Sequence, residues 1–121
     1  MDRKELGSRG EDAAAAYLER MGMVVRARNW RCPFGEVDIV AMDGRTLVLC
    51  EVKTRRSERA GTAEEAVSAA KQRKIVRLAE AYIASLSQPP EGVRFDVIAI
   101  RVLSQDRALL RHYRAAFEAA A

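Results

Sequence analysis

Gly35-Glu36-Val37-Asp38 and Glu51-Val52-Lys53 lie in apolar, β-branched surroundings, which predict two neighbouring strands. Asp43-Gly44 lies between them, and this dipeptide is among the strongest short signals for a β-hairpin. The chain is therefore expected to bring acidic residues together on adjacent strands of a sheet that should otherwise be apolar.

The register of this hairpin decides which side chains meet. If Asp43-Gly44 is the central pair, Asp38 lies across from Leu49 and diagonal to Glu51, and Glu36 faces Glu51 directly. Side chains alternate between the two faces of a strand. One face should therefore carry three carboxylates and a lysine, namely Glu36, Asp38, Glu51 and Lys53.

Carboxylates placed in this way need a compensating charge. Like charges directly opposed on adjacent strands cost up to about 1 kcal/mol per pair, and partial burial raises that cost. A divalent cation would compensate, because Mg²⁺ takes one or two carboxylates together with waters and substrate phosphates. Lys53 would hold a water or a phosphate oxygen beside the ion. The set thus has the parts for metal-assisted phosphodiester hydrolysis.

Length and composition predict one globular domain over residues 1–121, with a core at about 8–102. Hydrophobic residues make up 49% and charged residues 31%, which argues against a disordered chain. No apolar run approaches the length of about 20 residues that a membrane span requires, and the charged start leads into no signal-peptide core. We therefore expect a cytoplasmic protein with no membrane partner. Cys50 should face away from Glu51 as a small buried hydrophobe.

The positive charge is concentrated in one segment. Residues 54–79 hold seven basic and three acidic side chains, which account for the whole net charge of +4. A basic surface beside a candidate metal site suggests a polyanionic partner such as nucleic acid. A solvated helix face followed by a charged loop is the alternative interpretation of the same segment.

Capping signals, periodicity and breakers predict the order helix, three strands, helix, strand. Helices are expected at 8–21 and 62–86, each opened by a capping box, and strands at 23–28, 36–41, 46–52 and 93–102. The segment 29–34, which carries Trp30, is expected as a loop, and 108–121 as a possible short C-terminal helix. The predicted class is α/β, a mixed sheet flanked by helices on both faces.

On the second helix, eight residues form one apolar arc at 100° per residue: Val67, Ile75, Val76, Leu78, Ala79, Tyr82, Ile83 and Leu86. Arg73, Lys74 and Arg77 fall outside this arc and should face solvent or ligand. Lys71 and Gln72 lie within its angular range, so their polar ends should reach the sheet edge or a cleft.

Five short motifs occur in order: Gly10-Glu11, Asn29-Trp30-Arg31, Gly35-Glu36-Val37-Asp38, Glu51-Val52-Lys53-Thr54-Arg55 and Phe95-Asp96-Val97. Together they resemble the bacterial YraN family. More broadly they resemble the restriction-endonuclease-like PD-(D/E)xK nucleases, and are similar to archaeal Holliday-junction resolvases. The resemblance covers about residues 9–99. Val37 stands where the superfamily's namesake proline would be, and Val76 where some branches carry a tyrosine four residues after a glutamine equivalent to Gln72.

The resemblance implies a restriction-endonuclease-like core and assigns roles to four residues. Asp38 and Glu51 would bind Mg²⁺ or Mn²⁺, Lys53 would orient or activate the attacking water, and Glu11 would be the acid that resolvase-like members add from a helix. It also implies a possible homodimer, because two equivalent cuts need two sites.

Three of the candidate residues have a structural alternative. Glu11 occupies the reciprocal position of a capping box with Ser8, and Lys53 would also serve as a salt-bridge partner of Glu51. Glu36 is either an outer acid of the site or a solvent-facing edge residue.

Three further residues, to which no catalytic or metal-binding role is assigned, also have expected positions or contacts. Asp96 is expected in a structural hydrogen-bonding role and His112 at the surface. Trp30 would either stack on a base or pack on the sheet.

The leading hypothesis is therefore a metal-dependent nuclease acting on DNA and selecting structure rather than sequence. The nucleic-acid contacts are expected from Arg55, Arg56, Arg59, Lys71, Gln72, Arg73, Lys74 and Arg77. The alternatives are a non-catalytic nucleic-acid-binding module with the same fold and a protein-interaction domain that meets an acidic partner.

Overall fold

A computed structural model describes residues 2–56 and 68–117. In chain order the elements are α1 (Arg3–Arg20), β1 (Val24–Cys32), β2 (Gly35–Asp43), β3 (Thr46–Arg55), α2 (Ala69–Ala84), β4 (Gly92–Ser104) and β5 (Arg107–Phe117). The strands form one sheet in the order β1-β2-β3-β4-β5. Among the described strands, β3 and β4 are the one parallel pair, and α2 lies in the crossover that joins them. The predicted α/β class with a mixed, restriction-endonuclease-like sheet is confirmed.

Two apolar clusters hold the helices against opposite faces of this sheet. Ala14, Ala15 and Leu18 of α1 pack with the first cluster, whose sheet residues include Ile39, Val48, Cys50 and Ile98. Leu78, Ala79 and Tyr82 of α2 pack with the second, whose sheet residues include Val40, Leu47, Leu49 and Phe95. Cys50 is 1% exposed, as predicted for a small buried hydrophobe. In the described ranges, no helix combines the length and apolarity that crossing a bilayer requires.

Helix α1 begins earlier than its predicted capping box. Asp2 is the N-cap, and its side chain accepts a hydrogen bond from the backbone N–H of Glu5 at 2.8 Å. Ser8 and Glu11 therefore lie inside the helix, and the predicted start at Ser8 is wrong. Asp2 is itself a strong N-cap residue, and the helix formers that follow it extend the helix to the N-terminal side.

The described part of α2 begins at Ala69, with Ser68 as an extended N-cap whose hydroxyl accepts from Lys71 N–H at 3.2 Å. The capping box predicted at 62–65 lies outside the described residues, as does Val67. The predicted orientation of the helix is confirmed, since Leu78, Ala79 and Tyr82 are buried while Arg73, Lys74 and Arg77 are exposed.

The first hairpin replaces most of the loop predicted at 29–34. Strand β1 continues to Cys32, and Trp30 lies opposite Val37. The Trp30 ring meets the Tyr82 ring edge to face, with 5.2 Å between centroids. Of its two predicted roles, Trp30 therefore has the packing one. Asn29 lies inside this strand with φ of 51°, a left-handed conformation that asparagine adopts more readily than most residues.

The turn of the second hairpin lies one residue later in the chain than predicted. Asp43 lies opposite Thr46, so Gly44-Arg45 is the central pair, and Leu49 lies opposite Val40 rather than Asp38. Gly44 has φ of 61°, which suits glycine at the first central position of a hairpin turn. Asp43 stays in the strand because its carboxylate binds Arg94 at 2.8 Å and Arg114 at 3.1 Å.

A fifth strand takes the place of the predicted C-terminal helix. β5 pairs antiparallel with β4, and a register irregularity falls beside Asp96. Asp96 Oδ1 accepts the backbone N–H of Ala115 at 3.0 Å, and Asp96 Oδ2 lies 2.7 Å from His112 Nε2. The His112 side chain is only 5% exposed, so its predicted surface position is wrong. These tertiary bonds override the helix propensity of the alanines in the tail.

Two glycines of α1 provide a matched test of this packing. A Cβ on Gly10 would overlap Thr54 Oγ1 and lie 3.2 Å from Thr54 Cβ, whereas a Cβ on Gly7 would meet nothing within 4 Å. We expect Gly10→Ala to lower the free energy of unfolding by about 1–3 kcal/mol, because overpacking costs more than helix propensity returns. Gly7→Ala should raise it by up to about 1 kcal/mol. Urea unfolding measures both, and a stabilised Gly10→Ala would contradict the close contact of α1 with β3.

Candidate functional site

The two central strands separate where the candidate acids lie. Pairing between β2 and β3 ends at Ile39 opposite Cys50. Val37 packs with the α2 cluster although Ile39 packs with the α1 cluster, so side chains do not alternate regularly here. The positive φ of Asn29 falls on β1 at the same level. The chain therefore opens β2 away from β3 at Asp38.

Asp38 occupies this opening. Its Oδ2 accepts the backbone N–H of Val52 at 2.8 Å, which satisfies a donor that β2 no longer pairs. Asp38 therefore lies beside Val52 and Glu51, whereas the predicted hairpin register placed it across from Leu49. The observed register differs from the predicted one by two residues, and a shift by an even number keeps each side chain on its face. Glu51 and Lys53 therefore lie on the α2 face of β3, together with Leu47 and Leu49.

Glu51 is held by two lysines through one of its oxygens. Lys53 Nζ lies 3.0 Å from Glu51 Oε1, and Lys71 Nζ contacts the same oxygen. Glu51 Oε2 is buried and has no hydrogen-bond partner among the residues that the structure describes. The Glu51 side chain is 17% exposed. An unpaired buried carboxylate oxygen is costly, so this atom is where a water or a bound cation would lower the free energy of the site.

Asp38, Glu51, Glu36 and Lys71 line one small cavity of about 100 Å³ under the start of α2. Burial is the main cause that raises the pKa of Asp38 to about 6; the hydrogen bond from Val52 N–H opposes this rise, and the charges of Glu11, Glu51 and Glu36 add to it. The pKa of Asp38 is thus raised by the charges of the neighbouring acids as well as by burial. A perturbed carboxyl in a cavity is a common mark of a functional site.

Glu11 belongs to this cluster from the other face of the sheet. It lies in the middle of α1, 3.9 Å from Arg28, and its charge acts on Asp38. Because Asp2 rather than Ser8 caps the helix, the capping-box explanation for Glu11 is wrong. The structure instead gives Glu11 an ion pair with Arg28 and an electrostatic effect on Asp38.

Glu36 has a different neighbour from the one predicted. It lies opposite Arg31 on β1, with 3.3 Å between Arg31 Nε and Glu36 Oε2. Its predicted pairing with Glu51 is wrong, because β2 and β3 have already separated. It is exposed, but it also lines the cavity and its charge contributes to the raised pKa of Asp38, so its role as an outer acid of the site stays a prediction.

The fit of a divalent cation rests on Asp38 and Glu51. Within residues 2–56 and 68–117, no three His, Cys, Asp or Glu side chains form a preassembled metal cage. Mg²⁺ does not require one, since it is commonly held by one or two carboxylates with waters and substrate phosphates completing its shell. The free Oε2 of Glu51 and the accessible carboxyl of Asp38 suit that mode of binding.

Lys53 keeps its charge at this site. Burial lowers the pKa of Lys53, but its side-chain hydrogen bonds and the charge of Glu51 together outweigh burial, so the pKa lies above the ordinary value. Its ammonium group therefore acts as a cation and hydrogen-bond donor. The structural alternative, a salt bridge with Glu51, is present, and the same contact is compatible with the predicted catalytic role.

The remaining basic residues surround the cavity or extend from it. Lys74 lines the cavity, and the Arg77 guanidinium lies over the Phe34 ring at 5.3 Å. Arg55 and Arg56 are exposed at the end of β3, Arg73 is exposed on α2, and Gln72 is half-buried. Arg59 lies outside the described residues.

The structure also shows two features that the sequence did not indicate. One is the direct contact of Lys71 with Glu51, for which helical periodicity predicted only a position near a cleft. The other is the buried network of Asp96, Arg94 and His112. The apolar residues that flank Asp96 mark it as buried, but the partners come from distant parts of the chain.

The raised pKa of Asp38 predicts how stability depends on pH in the absence of metal. The folded pKa lies above the unfolded value of 3.8, so the protonated carboxyl favours folding below about pH 4, and that contribution is lost as the pH rises through about 6. Asp38→Asn should therefore raise the free energy of unfolding by about 1–3 kcal/mol at pH 7.5 and by little at pH 4. Urea unfolding in EDTA at both values measures the difference. Asp106→Asn, in the exposed turn, is the control, and a destabilised Asp38→Asn at pH 7.5 would contradict the burial cost.

Comparison with known proteins places this arrangement in a family. Residues 10–100 match the family described as Uncharacterised protein family UPF0102. A UPF0102 protein of Geobacter sulfurreducens is 51% identical over 97% of this chain and 91% of its own length. One of Symbiobacterium thermophilum is 46% identical over 96% and 98%, and one of Nocardia farcinica is 41% identical over 96% and 91%. The resemblance to the YraN family is thereby confirmed. The chain belongs to the UPF0102 family.

Proposed function

We propose that the chain is a divalent-metal-dependent nuclease that hydrolyses phosphodiester bonds in DNA and selects structure rather than sequence. The observation that carries this proposal is the cavity shared by Asp38 and Glu51, in which Glu51 Oε2 is buried without a described partner and Lys53 lies 3.0 Å from the other oxygen. Packing alone gives no reason to gather these charges, because each costs stability when it is buried.

Asp38 and Glu51 are the residues that would hold Mg²⁺ or Mn²⁺. Such an ion supplies a Lewis acid for the phosphoryl group and a lower pKa for a coordinated water. Lys53, kept protonated, donates hydrogen bonds and stabilises the negative charge that develops on phosphate oxygens. Glu11 adds negative potential from the α1 face and helps to position the cluster.

The exposed cations support a nucleic-acid substrate. Arg73, Lys74 and Arg77 form the exposed face of α2 above the cavity, and Arg55 and Arg56 follow the strand that carries Glu51 and Lys53. Contacts of this kind bind phosphates and position the substrate without reading base sequence. A symmetric dimer would supply two such sites for two equivalent cuts.

A second candidate, a non-catalytic nucleic-acid-binding module, is favoured by one observation. Lys53 and Lys71 both neutralise Glu51, so that carboxylate has cationic partners even without a metal. A module of this kind would bind DNA with an affinity that falls as salt rises, and would keep that affinity when the carboxylates are neutralised.

Cleavage of branched, flapped and single-stranded DNA with Mn²⁺ tests the proposal. We expect the wild type to prefer one branched or flapped substrate, and Glu51→Gln to lose the activity. Glu91→Gln is the matched control, because Glu91 is 67% exposed and pairs with Arg45 in a surface ion pair. Equal activity in all three proteins would reveal a contaminating nuclease, and DNA binding without any metal-dependent cleavage would favour the binding module.

A further inference from the structure

Lys71 occupies a position that helix stability does not explain. It is the third residue of α2, and the first turn of that helix carries no acidic side chain. A cation there is opposed by the positive end of the helix dipole, at a cost of about 0.3–1 kcal/mol. Its backbone N–H is bound by Ser68 Oγ, so the turn itself is well capped. The side chain is therefore retained for a contact outside the helix.

That contact is unusual for a structural ion pair. Two ammonium groups, from Lys53 and Lys71, meet Glu51 Oε1, while Oε2 has no partner within the described part of the chain. A stable buried pair normally satisfies both carboxylate oxygens. Lys53 already supplies one counter-charge from the same strand. Lys71 is thus a second cation on one oxygen, and it reaches across from a different element.

We infer that Lys71 is a placeholder cation: it neutralises Glu51 in the metal-free protein, competes with the divalent ion for that carboxylate, and is then free to bind a phosphate oxygen of the nucleic-acid strand. The inference rests on the proposed function and adds to it a residue that couples metal binding to substrate binding. Its flexible four-carbon stem allows the ammonium group to move between the two partners. The start of α2, which is the positive end of the helix dipole, favours an anion at the second position.

Lys74 offers a matched comparison on the same helix. It lines the same cavity and carries the same charge, but in the described residues it is not an ion-pair partner of Glu51. If any positive charge near the cavity weakened metal binding, Lys71→Met and Lys74→Met would have the same effect. If Lys71 competes directly for Glu51, only Lys71→Met should change the affinity strongly.

The first measurement is calorimetric titration of the full chain with Mn²⁺ at pH 7.5. We expect Lys71→Met to bind Mn²⁺ about 5–30-fold more tightly than the wild type, the range of an ordinary coupling between two bound groups. Lys71→Arg and Lys74→Met should stay within about 3-fold of the wild type, since neither removes the direct competitor. Unchanged or weaker Mn²⁺ binding by Lys71→Met would overturn the inference while leaving the metal site intact. Absence of Mn²⁺ binding by the wild type would overturn both.

The second measurement is the affinity for a short branched DNA, with EDTA and with saturating Ca²⁺. Without metal Lys71 is engaged with Glu51, so Lys71→Met should bind DNA as the wild type does. With Ca²⁺ it should bind DNA about 3–10-fold more weakly, the net value of about one hydrogen bond. An equal loss under both conditions would make Lys71 an ordinary phosphate contact and overturn the inference. Tighter Mn²⁺ binding with a Ca²⁺-dependent loss would support it even if no DNA is cleaved.

Discussion

Asp38→Asn is expected to lose more than about 100-fold of the metal-dependent cleavage rate, because removing residues that only support a metal ligand already costs about 10–100-fold. The carboxylate would be a direct ligand, and an amide neither carries its charge nor replaces it at a cation site. The amide oxygen can still accept the Val52 N–H that Asp38 binds at 2.8 Å. The fold around the site should therefore be preserved.

The combination of lost activity with retained or increased stability is the diagnostic result. Removal of the negative charge relieves the cost of its burial and the repulsion by Glu11, Glu51 and Glu36, which together raise the pKa of Asp38. A natural site that sacrifices stability for chemistry behaves in this way. Initial rates under single-turnover conditions, with Asp106→Asn as the control, measure the effect. Full activity in Asp38→Asn would remove Asp38 from the mechanism.

Asp96→Ala is expected to cause the largest loss of stability in the chain, about 3–5 kcal/mol, because it leaves buried donors without their acceptor. Asp96 is 2% exposed and binds Arg94 at 2.9 Å, His112 at 2.7 Å and the Ala115 N–H at 3.0 Å. Burial raises the pKa of Asp96, but the bonds from His112, Arg94 and Ala115 lower it below its ordinary value. The ionised carboxylate is therefore the form that holds β4 and β5 together.

Urea unfolding followed by circular dichroism measures this loss, with Asp106→Ala as an exposed aspartate control. Asp96→Asn keeps an acceptor for Ala115 N–H and should lose less than Asp96→Ala. If Asp96→Ala does not fold, the ordering of Asp96→Asn below the wild type still tests the network. A loss under about 1 kcal/mol for Asp96→Ala would contradict it, since surface substitutions rarely exceed half that value.

The face of β3 that carries Glu51 and Lys53 was predictable from the sequence, because the alternation of side chains survives an error in the position of the turn. The Asp43-Gly44 signal located the hairpin correctly, although Gly44-Arg45 forms the turn. When the turn moves by one residue, each residue faces a partner two positions further along the opposite strand. Every side chain therefore stays on its own face of the sheet. Glu51 and Lys53 therefore share a face as predicted, while the partners assigned to Asp38 and Glu36 were wrong.

The errors arose where distant residues outweigh local preference. The alanines of 108–121 favour a helix locally, but the carboxylate of Asp96 and the pairing with β4 hold residues 107–117 as a strand. Ser8 and Glu11 form a valid capping pattern, yet Asp2 caps the helix first. Neither long-range bonds nor the competition between two good caps can be read from a local window.

The contact made by Lys71 was likewise only partly predictable from the sequence. Helical periodicity placed its side chain near a cleft, and the structure puts the ammonium group on Glu51. The crossing of α2 over the ends of β2 and β3 decides that contact, and the packing of Leu78, Ala79 and Tyr82 sets the crossing. A pattern within one helix predicts which face is inward but not which carboxylate it meets.

Anomalous diffraction from a crystal of the protein soaked in Mn²⁺ tests the central claim most directly. We predict a single strong anomalous peak in the cavity, bound by the Asp38 carboxylate and Glu51 Oε2, with Lys71 moved away from Glu51. Full Mn²⁺ occupancy elsewhere on the protein, with this cavity empty and Lys71 still on Glu51, would contradict the account.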